Sequence, residues 1–417
     1  MPGRGLVAAA LALAVAVGSA ACVSTTDEIG HNGPAGIKLK PLARLPSYPN
    51  PFRDELGKAD ADIQLKIDDA FAQLYHGDPL TQAIFVVDSA DQAHIQDFFH
   101  GDTRTEGLGW GMVIAVELDK RDDFDDLWRF SKAERQFTTG AAAGYFRSSC
   151  DTESGPAPCT DPFGMEQFVT ALLFAHDRWG ATPGPIDYGK DALALLDVMR
   201  HKQEANGGIV DDVTDAFDSV TRLPFDFPNK GSAGRTRPSV VMPAYYELWE
   251  QATSDQFWSR AAARGRQLLK DSAHPTTGLL PVRATFDGAA VSAGGSDSFQ
   301  PESYRSQLNI ALDYIWSGEQ QWNIEESTRL LKFFTMKGFD TYGTSFELKG
   351  DTINPAHEVA LQITNGMTAL PAINAPDRQD YMQVVWDMNT PSGPVRYYQG
   401  LCYLLALLLL SGQFRVY

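Results

Sequence analysis

Apolar residues recur at steps of three and four along most of this chain. Phe168, Leu172, Ala175 and Trp179 form one such stripe, and Leu308, Leu312 and Ile315 form another. This spacing predicts helices over 60–75, 92–99, 107–119, 122–137, 165–179, 186–201, 241–253, 255–271, 303–317, 323–337, 357–370, 378–388 and 396–411. Strand patterning is sparse, confined to Ile84 to Val87 and short pieces around Leu279 to Phe286. The run from Leu401 to Leu410 is apolar all round but too short to cross a bilayer, which takes about 20 residues, so it predicts a helix buried on every side. A double ring of helices supplies that environment, because inner helices pack against one another and are covered by an outer layer. About twelve helices without a fixed sequence repeat suit an all-α (α/α)6 toroid whose inner-helix ends and loops make a cleft, with an open α-solenoid as the alternative.

The N-terminus departs from this pattern. Arg4 precedes an apolar run from Leu6 to Val17 and then small residues, the layout of an export signal. Two cuts stay open, one within Ser19-Ala20-Ala21 and one before Cys22, which would then carry lipid. The expected organisation is a signal peptide over 1–21, a tether over 22–55 that includes the Pro-rich stretch from Pro41, and one helical domain over 56–417. That domain, roughly 360 residues, is large enough for a sizeable core, and the chain is 43% hydrophobic and 11% aromatic. The expected location is the periplasm or an outer-membrane or cell-surface position, with membrane attachment through the N-terminal lipid only and the protein otherwise a monomer.

The chain has four cysteines. Cys150 and Cys159 bracket the turn-rich segment 151–158 and are expected to form a disulfide in an oxidising compartment. Cys402 sits in an apolar run and reads as a small buried hydrophobe. No metal-type cysteine pair is present, so neither a metal site nor a cofactor is expected. Acidic residues outnumber basic ones 53 to 35, a net charge of −18, which repels nucleic acid and acidic membranes and suits neutral or cationic partners such as an oligosaccharide.

The segment from Gly101 to Met112 carries the most chemistry. It is a glycine-rich start to a buried helix, with Glu106 between Arg104 and Trp110 and glycines at 107, 109 and 111 that would let a ligand approach the backbone. A carboxylic acid beside an aromatic ring has the composition of a general acid against a sugar platform. By itself the pattern equally describes a first-turn glutamate stabilised by the helix dipole.

The stretch from Arg104 to Lys120, followed by Phe124 to Trp128, resembles glycoside hydrolases of family 8, in which this glutamate is the general acid. Pro243 to Trp249, His274 to Leu279, Asn309 to Tyr314, Arg396 to Leu407 and Ser411 to Tyr417 are similar to the branch of that family containing reducing-end xylose-releasing oligoxylanases. The likeness spans nearly the whole expected domain and implies an (α/α)6 barrel and an inverting mechanism. Inversion uses an acid that protonates the glycosidic oxygen and a base that activates water, roughly 6.5–9.5 Å apart. Glu106 takes the first role. The family places an Asp where this chain has Glu302, three residues before Arg305 and seven before Asn309. A glutamate is able to serve as the base, although its extra methylene shifts the carboxylate by more than about an ångström. A helix-start carboxylate, with Asp297 as the base instead, is the competing reading.

Tyr304 and Arg305 flank the proposed base and Tyr397 and Tyr398 open the last inner helix, so each is a candidate sugar contact or equally a packing residue; Arg104, Trp110 and Asp161 are further candidate contacts, and His357 matches a loop histidine of the oligoxylanase branch. Two departures imply a rebuilt pocket. Phe163 stands where the family carries an acid, a role open to Asp161 or Glu166, and Ser148 stands where the family has a stacking Trp. The implied activity is hydrolysis of β-1,4-linked oligosaccharides, xylo-oligosaccharides first and cello-oligosaccharides second. Chitosan hydrolysis in the same fold and a glycan-binding lipoprotein without turnover are the alternatives.

Overall fold

The computed structural model describes residues 40, 43–44, 47–148, 159–180, 186–318 and 321–417, all within the compact unit Lys38–Tyr417. The expected signal peptide, the lipid site Cys22, most of the tether before residue 47 and Cys150 lie outside these residues. Cys159 is disulfide-bonded, and Cys402 is free and buried as its apolar neighbours suggested.

Among the described residues the chain forms thirteen α-helices. A short α1 (Pro51–Asp54) already belongs to the packed structure, with Phe52 buried edge-on against Trp386. Then follow α2 (Asp60–His76), α3 (Thr105–Glu117), α4 (Arg121–Phe130), α5 (Pro162–Trp179), α6 (Tyr188–Asn206), α7 (Pro243–Thr253) and α8 (Gln256–Ser272). The remainder are α9 (Arg305–Ser317), α10 (Gln321–Gly338), α11 (Val359–Thr368), α12 (Arg378–Asp387) and α13 (Arg396–Leu410).

The helix packing closes a ring. Helix α3 packs on α5, α5 on α7, α7 on α9, α9 on α11, α11 on α13, and α13 back on α3. The even-numbered helices lie outside: α4, α6, α8, α10 and α12 each pack on the inner helix before them, and α2 packs on α13. This is the (α/α)6 toroid, and the α13 to α3 contact excludes an open solenoid. The two rings differ in sequence as burial requires. Every residue of α3 is buried, as is nearly all of α13, whereas α4 buries Phe124, Leu127, Trp128 and Phe130 on one face and keeps Asp122 and Asp123 in its first turn.

One expected helix is absent. Residues 92–99 contain β2 (Ala93–Ile95), which pairs antiparallel with β1 (Phe85–Val87), Val86 opposite His94. Ala93 and Ile95 are buried while His94 is not, so the spacing that suggested a helix is the period of two of a half-buried strand. The Asp97 carboxylate then accepts the backbone N–H groups of Phe99 and His100 and turns the chain. Two more antiparallel pairs, β3 (Arg235–Thr236) with β4 (Ala284–Thr285) and β5 (Ser345–Phe346) with β6 (Thr352–Asn354), are as short as the sparse strand patterning implied.

Candidate active site

A cleft of about 560 Å³ opens where the N-terminal ends of the inner helices converge. Glu106 comes from the first turn of α3, Asp161 is the N-cap of α5, Arg305 opens α9, Glu358 precedes α11, and Tyr397 and Tyr398 lie in the first turn of α13. Helix N-termini carry partial positive charge and unpaired N–H groups, so this end of the ring favours carboxylates. The Asp161 carboxylate makes this explicit by accepting the Phe163 N–H at 3.0 Å.

Two expected carboxylates, Glu106 and Glu302, share the cleft and one guanidinium. Arg305 donates from Nη1 to Glu106 Oε1 at 2.7 Å and from Nη2 to Glu302 Oε1 at 3.1 Å. Two hydrogen bonds and the width of a guanidinium keep those oxygens no more than roughly 8 Å apart. Arg305 is itself buried, its charge 4.7 Å from the face of Phe163. Phe163, expected to stand in place of a family acid, lies under this arginine and supplies no carboxylate. Asp161, not Glu166, is the acid on this wall: Glu166 is fully buried away from the cleft and accepts from Tyr246 Oη at 3.1 Å.

The two carboxylates are biased in opposite directions. Burial pushes the Glu106 carboxyl up, Arg305 pulls it back, and Asp161 adds to the rise, leaving it above its usual range. Glu302 also feels burial, but its side chain is 32% exposed, and Arg237 and Arg305 outweigh that effect and hold its carboxyl at about 2. Asp297 does not line the cleft. Tyr397 Oη lies 3.5 Å from Glu106 Oε2, a long contact.

The glycines of α3 have a different task from the one their pattern suggested. A Cβ on Gly107 would stand 2.5 Å from the Tyr397 ring, one on Gly109 2.5 Å from Gln167 Cβ, and one on Gly111 2.9 Å from Ile95. They let neighbouring side chains approach the helix. Three expected substrate contacts also fall outside the cleft wall. Trp110 is 1% exposed, packed edge-on against Phe163 and beside Tyr398. Tyr304 is buried and donates to the Thr344 carbonyl at 2.6 Å. His357 is held on an exposed loop by the Tyr342 carbonyl at 2.9 Å and by its ring contact with Tyr342. Arg104 does reach the cleft, clamped on Asp102 at 3.0 Å, and so does Ser148.

Sequence reasoning missed Arg237, Arg283, Phe99, His100 and Glu358, all of which line the cleft. Arg237, directly before the buried stretch Pro238 to Met242, carried a readable signal: a charge adjoining an apolar run needs partners. Phe99, 65% exposed, was hidden by the mistaken helix over 92–99. Among the described residues no trio of His, Cys, Asp or Glu is placed to hold a metal ion.

The family model for glycosyl hydrolases family 8 matches residues 90–412. The chain is 32% identical over 384 residues to the reducing-end xylose-releasing exo-oligoxylanase Rex8A of Paenibacillus barcinonensis, covering 89% of this chain and 97% of that protein. It is 33% identical over 381 residues to the reducing end xylose-releasing exo-oligoxylanase of Halalkalibacterium halodurans, covering 89% and 94%. The structure of the Paenibacillus enzyme complexed with xylose superposes with a TM-score of 0.81 at 31% identity, covering 89% of this chain and 98% of that one.

Proposed function

This chain belongs to glycosyl hydrolase family 8, a family of inverting glycosidases, and from that premise we propose that it cleaves β-1,4-linked xylo-oligosaccharides with Glu106 as general acid and Glu302 as base. Water held by the Glu302 carboxylate attacks the anomeric carbon and gives up its proton to that carboxylate. The bond to the leaving oxygen breaks as Glu106 transfers its proton to it, and the sugar leaves with inverted configuration. The observation that carries this reading is the bridge through Arg305, which puts both carboxylates on one cleft while their surroundings push one towards its protonated and the other towards its ionised form. Asp161, Arg104, Tyr397 and Tyr398 are the wall residues offered to sugar hydroxyls and rings. Xylose is favoured because both curated relatives described above are named for releasing it.

A panel of xylo-, cello- and glucosamine oligosaccharides, followed by proton NMR, tests the reading. The expected result is turnover of the xylo-series with the product anomer inverted. Retention of configuration, or turnover confined to another sugar series, would overturn it.

Export is part of the same proposal, supported by Arg4 and the apolar run from Leu6 to Val17, with Cys22 as the lipid acceptor and the catalytic unit acting as a monomer. Cell fractionation of the wild type and of Cys22→Ala checks it: both are exported, only the wild type stays membrane-bound, and size-exclusion chromatography gives one chain.

A further inference from the structure

Arg237 is 2% exposed, between β3 and the short turn Pro238–Val240 that leads into α7. Its guanidinium is engaged on every side. Nη2 donates to Asp161 Oδ1 at 2.7 Å and to the Asp226 carbonyl at 2.9 Å, and Nε lies 3.0 Å from Asp226 Oδ1 as an ion pair without hydrogen-bond alignment. Its face lies 4.8 Å from the Phe227 ring. Asp226 is in turn fixed by Arg283, whose Nε donates to Oδ2 at 2.8 Å. A planar fork held by so many partners has no freedom to choose where its remaining nitrogen points. That nitrogen, Nη1, donates to Glu302 Oε1 at 2.6 Å.

Glu302 Oε1 thus takes guanidinium hydrogen bonds from both Arg237 and Arg305. Among the described residues no hydrogen bond to Oε2 is recorded, and the side chain faces the cleft. We propose that Arg237 is a positioning residue for hydrolysis: anchored on Asp161 and Asp226, it holds one oxygen of Glu302 so that the other is presented to the attacking water. The inference rests on the reading of Glu302 as the base. It accounts for how a glutamate, one methylene longer than the family's aspartate, is kept in a single geometry, since water placement tolerates errors of only about an ångström. Arg237 is also the foremost of the charges that hold the Glu302 carboxyl low against the effect of burial.

Arg237→Gln and Arg237→Lys, assayed as pH profiles of kcat and KM beside Glu302→Ala, test the inference. Arg237→Gln should lower kcat about 100-fold with KM changed only a few-fold, and move the acid limb of the kcat/KM profile upward by about one pH unit. Arg237→Lys keeps the charge but loses the fork, so it should retain most of the acid-limb position and recover only part of kcat. A merely structural role would lower thermal stability without moving the acid limb. Inactive Glu302→Ala together with an unmoved acid limb in Arg237→Gln overturns the inference and leaves the base assignment standing. Active Glu302→Ala overturns both. If Arg237→Gln fails to fold, Arg237→Lys decides the matter: a lowered kcat with KM nearly unchanged supports the inference, and a wild-type kcat overturns it.

Discussion

Arg305 donates to Glu106 at 2.7 Å inside the cleft, yet burial still keeps that carboxyl above its ordinary range. The two influences act on one proton. Burial makes Glu106 hold it, as a general acid must, while the guanidinium prevents the group from holding it so tightly that it is useless as a donor. A nearby carboxylate, Asp161, reinforces the first effect, and Arg104 the second.

Replacing Glu106 by Gln keeps the shape and removes the proton. Turnover of an unactivated oligosaccharide should fall by about 10²–10⁴-fold, with the thermal midpoint little changed. An aryl glycoside, whose leaving group needs no proton, should lose far less. Equal losses on both substrates would remove Glu106 from the acid role.

Gly107→Ala places a methyl group against the Tyr397 ring. Overpacking of this kind costs about 1–3 kcal/mol, more than the roughly 1 kcal/mol that alanine adds to a helix. Net destabilisation in urea titrations and reduced activity are expected together, because Tyr397 also lies beside Glu106. A more stable, fully active variant would show that the ring is free to move aside.

Glu302 has a carboxyl lowered from an ordinary 4.5 to about 2. A depressed carboxyl contributes stability that is present above its unfolded value and is lost as pH falls through its folded value. The stability difference between wild type and Glu302→Gln should therefore be largest near neutrality and shrink between pH 4.5 and 2. Denaturant titrations giving a constant difference across that window would mean that the two arginines do not hold the ionised form.

Local patterns placed most of the inner helices well. The stretches read from periodicity match α2, α5 and α7 to α13 within a few residues, because a helix buried in one stripe or all round leaves its period in the sequence. The hairpin over 85–95 was half legible: β1 was read correctly and β2 was not, since three residues are too few to separate a period of two from one of 3.6.

Glu106 and Glu302 were nameable from their motifs, 196 positions apart; their meeting was not. The chain by itself determined that it would build helices of two kinds, apolar all round or on one face, and that a glycine-rich segment would carry a glutamate at one helix start. Ring closure, the convergence of the inner N-termini, and the balance of burial against arginine charge that separates the protonation of two chemically equal carboxyls were decided only in three dimensions. Arg237 illustrates why: its partners Asp161, Asp226 and Glu302 lie on three separate segments, and a charge acquires its partners and its dielectric surroundings only when those segments pack.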